Sequence, residues 1–171
     1  QKRVTNRQAL SELKDDLSVI LHTVGEGIIA QDADGNTIFA NSAVARIVGY
    51  KSAEEMVGVP VTEAWRRFEI FDERNEPVPE SNLPHAQAPQ QKRPVTRTLV
   101  LREVGTQTER WVEVTAAPVF DEAHDLRRVV SVVRDITGRV QAERDTARFT
   151  EIVQSSNDAI IGKSLNRIIT S

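Results

Sequence analysis

The sequence predicts an α+β domain built on one five-stranded antiparallel sheet with short helices on one face. Three observations predict it. Two short strand-like runs flank a turn at Asp34-Gly35-Asn36, three longer β-rich runs joined by polar turns occupy residues 95–136, and the segments between are bounded by caps, glycines and prolines that allow only small helices. The domain is expected over residues 25–137, the size of one ordinary domain.

Residues 1–24 contain neither Gly nor Pro, and Leu10, Leu13, Leu17, Ile20 and Val24 recur at alternating steps of three and four. This is the spacing of an apolar helix seam, and it predicts an amphipathic helix. About two heptads fall short of a secure coiled coil, so the seam either joins two copies in a homodimer or lies on its own domain.

Strand character begins after Gly25 and Gly27, with Ile28 to Asp32, the turn, and Thr37 to Ala40. Asp-Gly and Gly-Asn tolerate the positive φ a tight hairpin needs. Asn41 can cap a helix through Ile47 that Gly49 ends, and Ser52 with Glu55 has capping-box spacing for a second helix ending near Gly58. Val61 to Ile70, carrying Trp65 and Phe68, gives a third helical candidate. Five of the seven prolines fall between Pro77 and Pro94, which predicts a loop or partly helical flap. Strands then follow at Val95–Val104, Glu109–Phe120 and Leu126–Ile136, a meander with turns at Gly105–Thr108 and Asp121–Asp125.

Beyond Gly138 charges alternate in sign through Arg139, Glu143, Arg144, Asp145, Arg148 and Glu151, the pattern of an exposed linker helix over residues 138–156. An offset of 132 sets Ile160-Ile161 against Ile28-Ile29 and Asp158 against Glu26. Residues 157–171 therefore read as the start of a second copy of the domain in a longer tandem array, the alternative being a coincidence of two hydrophobic runs.

Composition narrows the function classes. Twenty-two Lys plus Arg against twenty-five Asp plus Glu leaves a net charge of -3, which gives no electrostatic pull toward nucleic acid. With no Cys there is no disulfide, thiolate metal site, cysteinyl nucleophile or covalent photoadduct. No apolar run approaches the ~20 residues of a membrane span and no signal peptide is evident, so the expected location is cytoplasmic. No P-loop, dinucleotide fingerprint, nucleophile elbow or metal-ligand spacing occurs, and no catalysis is expected of this segment.

Asp34-Gly35, then Ile38, Asn41, Ala43, Arg46, Gly49 and Tyr50, together with Glu109-Arg110-Trp111-Val112 and Val133-Arg134-Asp135-Ile136-Thr137, resemble the characteristic stretches of a PAS domain over roughly residues 17–138. The tail from Ile152 to Gly162 resembles the opening of another. The resemblance implies a PAS fold in a bacterial multi-PAS signalling protein, with a histidine kinase as the most common output. It implies a module that binds a small ligand or relays a conformational signal to a domain downstream, the alternative being a ligand-free structural dimerisation spacer. The segment Phe71 to Pro94 is longer and richer in proline than a minimal PAS domain.

If strand alternation holds, Ile29, Ile38, Ala40, Leu99, Leu101, Val112, Val114, Val130 and Val132 face inward, and with Trp65 and Phe68 they are the candidate pocket lining. Trp65 and Trp111 each serve equally as core. Asp135, Ile136 and Thr137 stand where the last strand hands over to the linker helix; Asp135 is expected to anchor to Arg110 or the Trp111 indole, and Thr137 to cap the helix. His124-Asp125-Leu126-Arg127 copies the start of a histidine-kinase phosphoacceptor box, but a polar turn followed by a β-branched run opposes a helix there. His85 and His22 are expected as solvated surface histidines, and a haem ligated by either is not expected.

Overall fold

A computed structural model describes the backbone of residues 25–106 and 108–168, and side chains through residue 154. The dimerisation seam of Leu10, Leu13, Leu17, Ile20 and Val24, and His22, lie outside the described residues. The chain divides into two compact units, which meet in sequence between Asp135 and Ile136.

In the first unit β1 (Gly27–Asp32), β2 (Thr37–Ala40), β3 (Phe68–Phe71), β4 (Val95–Glu103), β5 (Glu109–Phe120) and β6 (Leu126–Asp135) form one antiparallel sheet in the order β2-β1-β6-β5-β4-β3. The sheet thus has six strands where five are expected from sequence. The sixth comes from the run read as a third helix, which is split into α2 (Val61–Trp65) and β3. Phe68 and Ile70 alternate with Glu69, and β3 pairs with β4 from Phe68↔Glu103 to Phe71↔Val100. A free sheet edge therefore overrides a short helical pattern.

Asn41 caps α1 (Ser42–Val48), accepting from the Val44 N–H, and Gly49 ends the helix at φ 79°. The capping box at Ser52 and Glu55 does not form. Only a three-residue 3₁₀ turn, Glu54–Met56, follows Ala53, because the fully buried Met56 anchors the segment and the backbone of residues 58–59 bonds to Thr37 on β2. The proline-rich stretch is a partly helical flap: a 3₁₀ turn at Glu80–Asn82, then α3 (Pro84–Gln91) with Pro84 in its first turn and Pro89 inside it.

Two groups of buried apolar side chains fill the inner face. The larger joins Ile29, Val44, Met56, Trp65, Leu101 and Val112; the smaller seats Ala88 of α3 on Val95, Ala116 and Val129. The second unit is α4 (Thr137–Ile168), a continuous helix that includes Ile160 and Ile161. A strand needs a ladder partner, whereas the i→i−4 bonds of a helix need none.

Candidate functional site

Seven of the eleven pocket candidates, Ile29, Ala40, Trp65, Leu99, Leu101, Val112 and Val114, are buried in the larger core. Phe68 is partly buried against it. Three expectations are corrected. Ile38 is 44% exposed, because the β1–β2 register shifts between Ala30 and Gln31: Ala30 pairs with Phe39 and Gln31 with Thr37, so Ile38 is the extra residue of a bulge and Thr37 turns inward instead. Val130 and Val132 lie on the outward face. The pairs Gly27↔Val133, Ile29↔Ser131 and Val114↔Val133 turn Val129, Ser131 and Val133 to the core. Both sets of β6 residues are valine-rich, so period-two alternation offers no contrast to choose between them. Trp111, opposite Val100, also belongs to the outward face, where its indole donates to Glu109 Oε1 at 3.0 Å.

Trp65, Leu99 and Val114 meet Ile70, Leu83, Pro84 and His85 around a hollow of about 10 Å³, room for one water at most. Outside it, α2, β3 and the flap bound an open groove of about 270 Å³. Trp65, Phe68, Ile70, Val78 and Leu83 form its apolar wall; Thr62, Arg66 and Glu80 form its polar rim. Trp65, Ile70 and Leu83 belong to both spaces.

His85 is 9% exposed, not a surface histidine. Pro84 starts α3, which sets His85 and Ala88 on the side packed against β4, β5 and β6. Burial pushes the His85 pKa below the ordinary histidine value, and the Glu80 carboxylate opposes this more weakly. Reasoning from sequence misses Leu83, His85 and Ile70. The Phe68/Ile70 alternation and a proline able to open a helix are the signals that could have found them.

At the end of β6, Arg110 Nη1 lies 3.7 Å from Asp135 Oδ2, a pair that joins β5 to β6. One residue earlier Arg134 binds Glu26, its Nε donating at 2.7 Å, and approaches Glu113 at 3.5 Å. Glu26 is held by Asn41, whose Nδ2 donates to the Glu26 carbonyl while its Oδ1 accepts from the Ile28 and Val44 N–H groups. The chain entering β1 and the chain leaving β6 are thus tied at one end of two paired strands. The first turn of α4 closes with the Val140 N–H donating to the Ile136 carbonyl, which sets Thr137 inside that turn, one residue past the cap. His124 stands in the β5–β6 turn at φ 68°, not on a helix. Among the described residues no cluster of three His, Asp or Glu could hold a metal ion, and no helix is long and apolar enough to cross a membrane.

A family model described as the PAS fold matches residues 15–136, most of the chain. The chain belongs to the PAS family. Solved PAS domains share its fold at low identity. That of a Colwellia psychrerythraea protein superposes with a TM-score of 0.54 at 19% identity over 74% of this chain and 98% of its own. The PAS domain of an HTR-like protein from Haloarcula marismortui gives 0.52 at 20% identity, covering 80% and 100%. That of nitrogen regulation protein NR(II) from Vibrio parahaemolyticus gives 0.51 at 18%, covering 70% and 96%. No curated protein sequence matches at a significant level. PAS domains are in general sensory and signalling modules, and the α+β architecture with an antiparallel sheet is that of the family.

Proposed function

We infer that this PAS domain is a sensory or relay module that passes a conformational bias through β6 into α4 and on to an output domain, such as a histidine kinase, in the same chain. One observation carries the reading. Asp135, paired with Arg110 of β5, ends the strand, and α4 begins at Thr137, so a displacement of β6 enters the helix across a single residue, Ile136. The bias is a population shift, and a ligand drives it only by binding one state more tightly than the other. In this reading the protein is a non-enzymatic, cytoplasmic homodimer joined through the Leu10, Leu13, Leu17, Ile20 and Val24 seam, and residues 157–171 open a further repeat. Leu17→Glu is expected to shift its light-scattering mass toward the monomer.

The reading is tested by hydrogen exchange on the full chain carrying Arg110→Gln. Amides of the first two turns of α4 are expected to exchange faster while Val112 and Val114 keep their protection. Unchanged exchange in α4 would discard the relay.

A ligand-free dimerisation spacer is the second reading, favoured by one observation: Met56, Leu101 and Val112 are fully buried in the core, and the hollow between Trp65, Leu99 and Val114 holds about 10 Å³. Native mass spectrometry that finds no bound species, and no small molecule that raises Tm, would favour the spacer.

A further inference from the structure

We propose that the open half of the β4 edge takes an extended segment of another protein chain as an added antiparallel strand. The segment carries a basic residue at its amino end, β-branched residues at alternate positions, and carboxylates between and after them.

The edge follows from the direction of the backbone groups. At the β4–β5 turn the Glu103 N–H donates to the Thr108 carbonyl, so Glu103 faces β5, and by alternation so do Leu101, Leu99, Arg97 and Val95. The Val104 N–H donates the opposite way, to the Arg67 carbonyl ahead of β3. Arg102, Val100, Thr98 and Thr96 therefore turn their N–H and C=O groups to the β3 side. β3 pairs with Arg102 through Glu69 and with Val100 through Phe71, and then ends. Thr98 and Thr96 are left with both backbone groups on an open edge, and no described residue bonds them. Such a row of groups is a template for a further strand. Space for one is present: an open groove of about 370 Å³ runs between Thr96, Arg97 and Thr98 on one side and Asp72, Glu73 and Arg74 on the other.

A second copy of this chain fits the edge poorly in each antiparallel register that engages both threonines. Centred on Arg97, the pairing sets two guanidinium groups against each other. Centred on Thr96, it sets Pro94, which has no N–H, against Thr98. Centred on Thr98, it needs Val100, whose backbone is already paired with Phe71.

The walls choose a different partner. An antiparallel segment has its amino end at the loop after β3, where Asp72, Glu73 and Glu76 outnumber Arg74, and its carboxyl end at the exposed Lys92 and Arg93. Opposite Arg97, whose guanidinium donates to the Asn82 carbonyl at 3.0 Å, a carboxylate meets the remaining donors. Opposite Thr96 and Thr98, β-branched residues extend the cross-strand pairing that the Thr96 and Thr115 hydroxyls already make at 2.9 Å.

The probe is the peptide Lys-Val-Glu-Val-Glu, titrated into the full ¹⁵N-labelled chain and followed by NMR, with the charge-reversed Glu-Val-Lys-Val-Lys as control. The Thr96 and Thr98 amides are expected to shift saturably and to exchange with solvent more slowly, and the control to bind at least about fivefold more weakly. N-methylation of both valines removes the donors that face β4 and is expected to weaken binding about tenfold or more, whereas N-methylation of the central glutamate, whose N–H faces away, leaves it within about twofold. Thr98→Pro deletes a donor without breaking a bond to β5 and should weaken the probe as well. The methylated peptides leave the protein untouched and keep the test decisive if that variant misfolds. No saturable shift at Thr96 and Thr98, equal binding of the charge-reversed peptide, or equal effects of methylating valine and glutamate overturns the proposal. So does a dimer in light scattering that Thr98→Pro dissociates, which would give the edge to a second copy.

Discussion

Asn41 ties the start of α1 to the chain entering β1. It is fully buried, its Oδ1 accepts from two backbone N–H groups and its Nδ2 donates to the Glu26 carbonyl, so it caps α1 and ties the start of β1 to it. Asn41→Ala leaves all three partners unsatisfied and is expected to lower the urea-unfolding free energy by about 2–4 kcal/mol. Asn41→Asp keeps the acceptor and loses the donor, and should fall between. A loss under about 1 kcal/mol for Asn41→Ala would refute this account of the residue. His85 gives the chain a pH dependence of definite sign. Its folded pKa is depressed, so above about 6.5 both folded and unfolded chains carry it neutral and it contributes nothing to the slope. Below about 6.5 the unfolded chain takes up a proton that the fold refuses, and stability falls until the folded pKa is passed. Unfolding free energies of wild type and His85→Phe, measured between pH 7.5 and 5, should therefore differ in slope, the wild type losing more on the acid side; parallel curves would contradict it.

At the scale of the element, β6 shows how a face is chosen. Val133 is fully buried and pairs with Gly27 and Val114, while Val132 faces outward opposite Ile28 and Thr115. Val133→Asn is expected to cost about 3 kcal/mol or more, and Val132→Asn under about 1 kcal/mol. Equal losses in chemical denaturation would mean the register is wrong by one residue. Gly27 belongs to the same choice: a Cβ there would stand 2.9 Å from the Val44 Cα and Cβ, so the close approach of β1 to α1 requires glycine. In β2 the bulge spends Ile38, the most apolar residue of the strand, on solvent and buries Thr37 in its place.

For the whole molecule, the division after Asp135 has a kinetic consequence. In the second unit Phe149 and Ile152 are exposed at 69% and 62%, and the basic side chains Arg139, Arg144 and Arg148 are exposed as well, whereas the first unit buries its apolar residues in a six-stranded sheet. A helix whose side chains are exposed over residues 141–154 presents its backbone to a protease more readily than the strands of a packed sheet. Limited trypsin digestion is thus expected to cut at Arg144 and Arg148 before Arg97, Arg102 or Arg110, with mass spectrometry identifying the first fragments. Earlier cleavage within β4 or β5 would show that the sheet is the weaker unit.

Local chemistry alone was enough for several features. The Asp34-Gly35 turn, the Asn41 cap, the Gly49 stop, strands β4 to β6 within a residue and the charged helix after Gly138 all follow from backbone preferences that act over a few residues. For Asp135 the sequence left two partners open, Arg110 and the Trp111 indole, and the structure places Arg110 Nη1 3.7 Å from Asp135 Oδ2. Tertiary structure decided the rest. Whether Phe68–Phe71 is helix or strand depended on a free edge of β4, and which valines of β6 face inward depended on the register with β1 and β5. Whether His85 meets water or the core depended on where α3 lands. These outcomes rest on partners far along the chain, whose burial free energy exceeds the small local preference of any one segment.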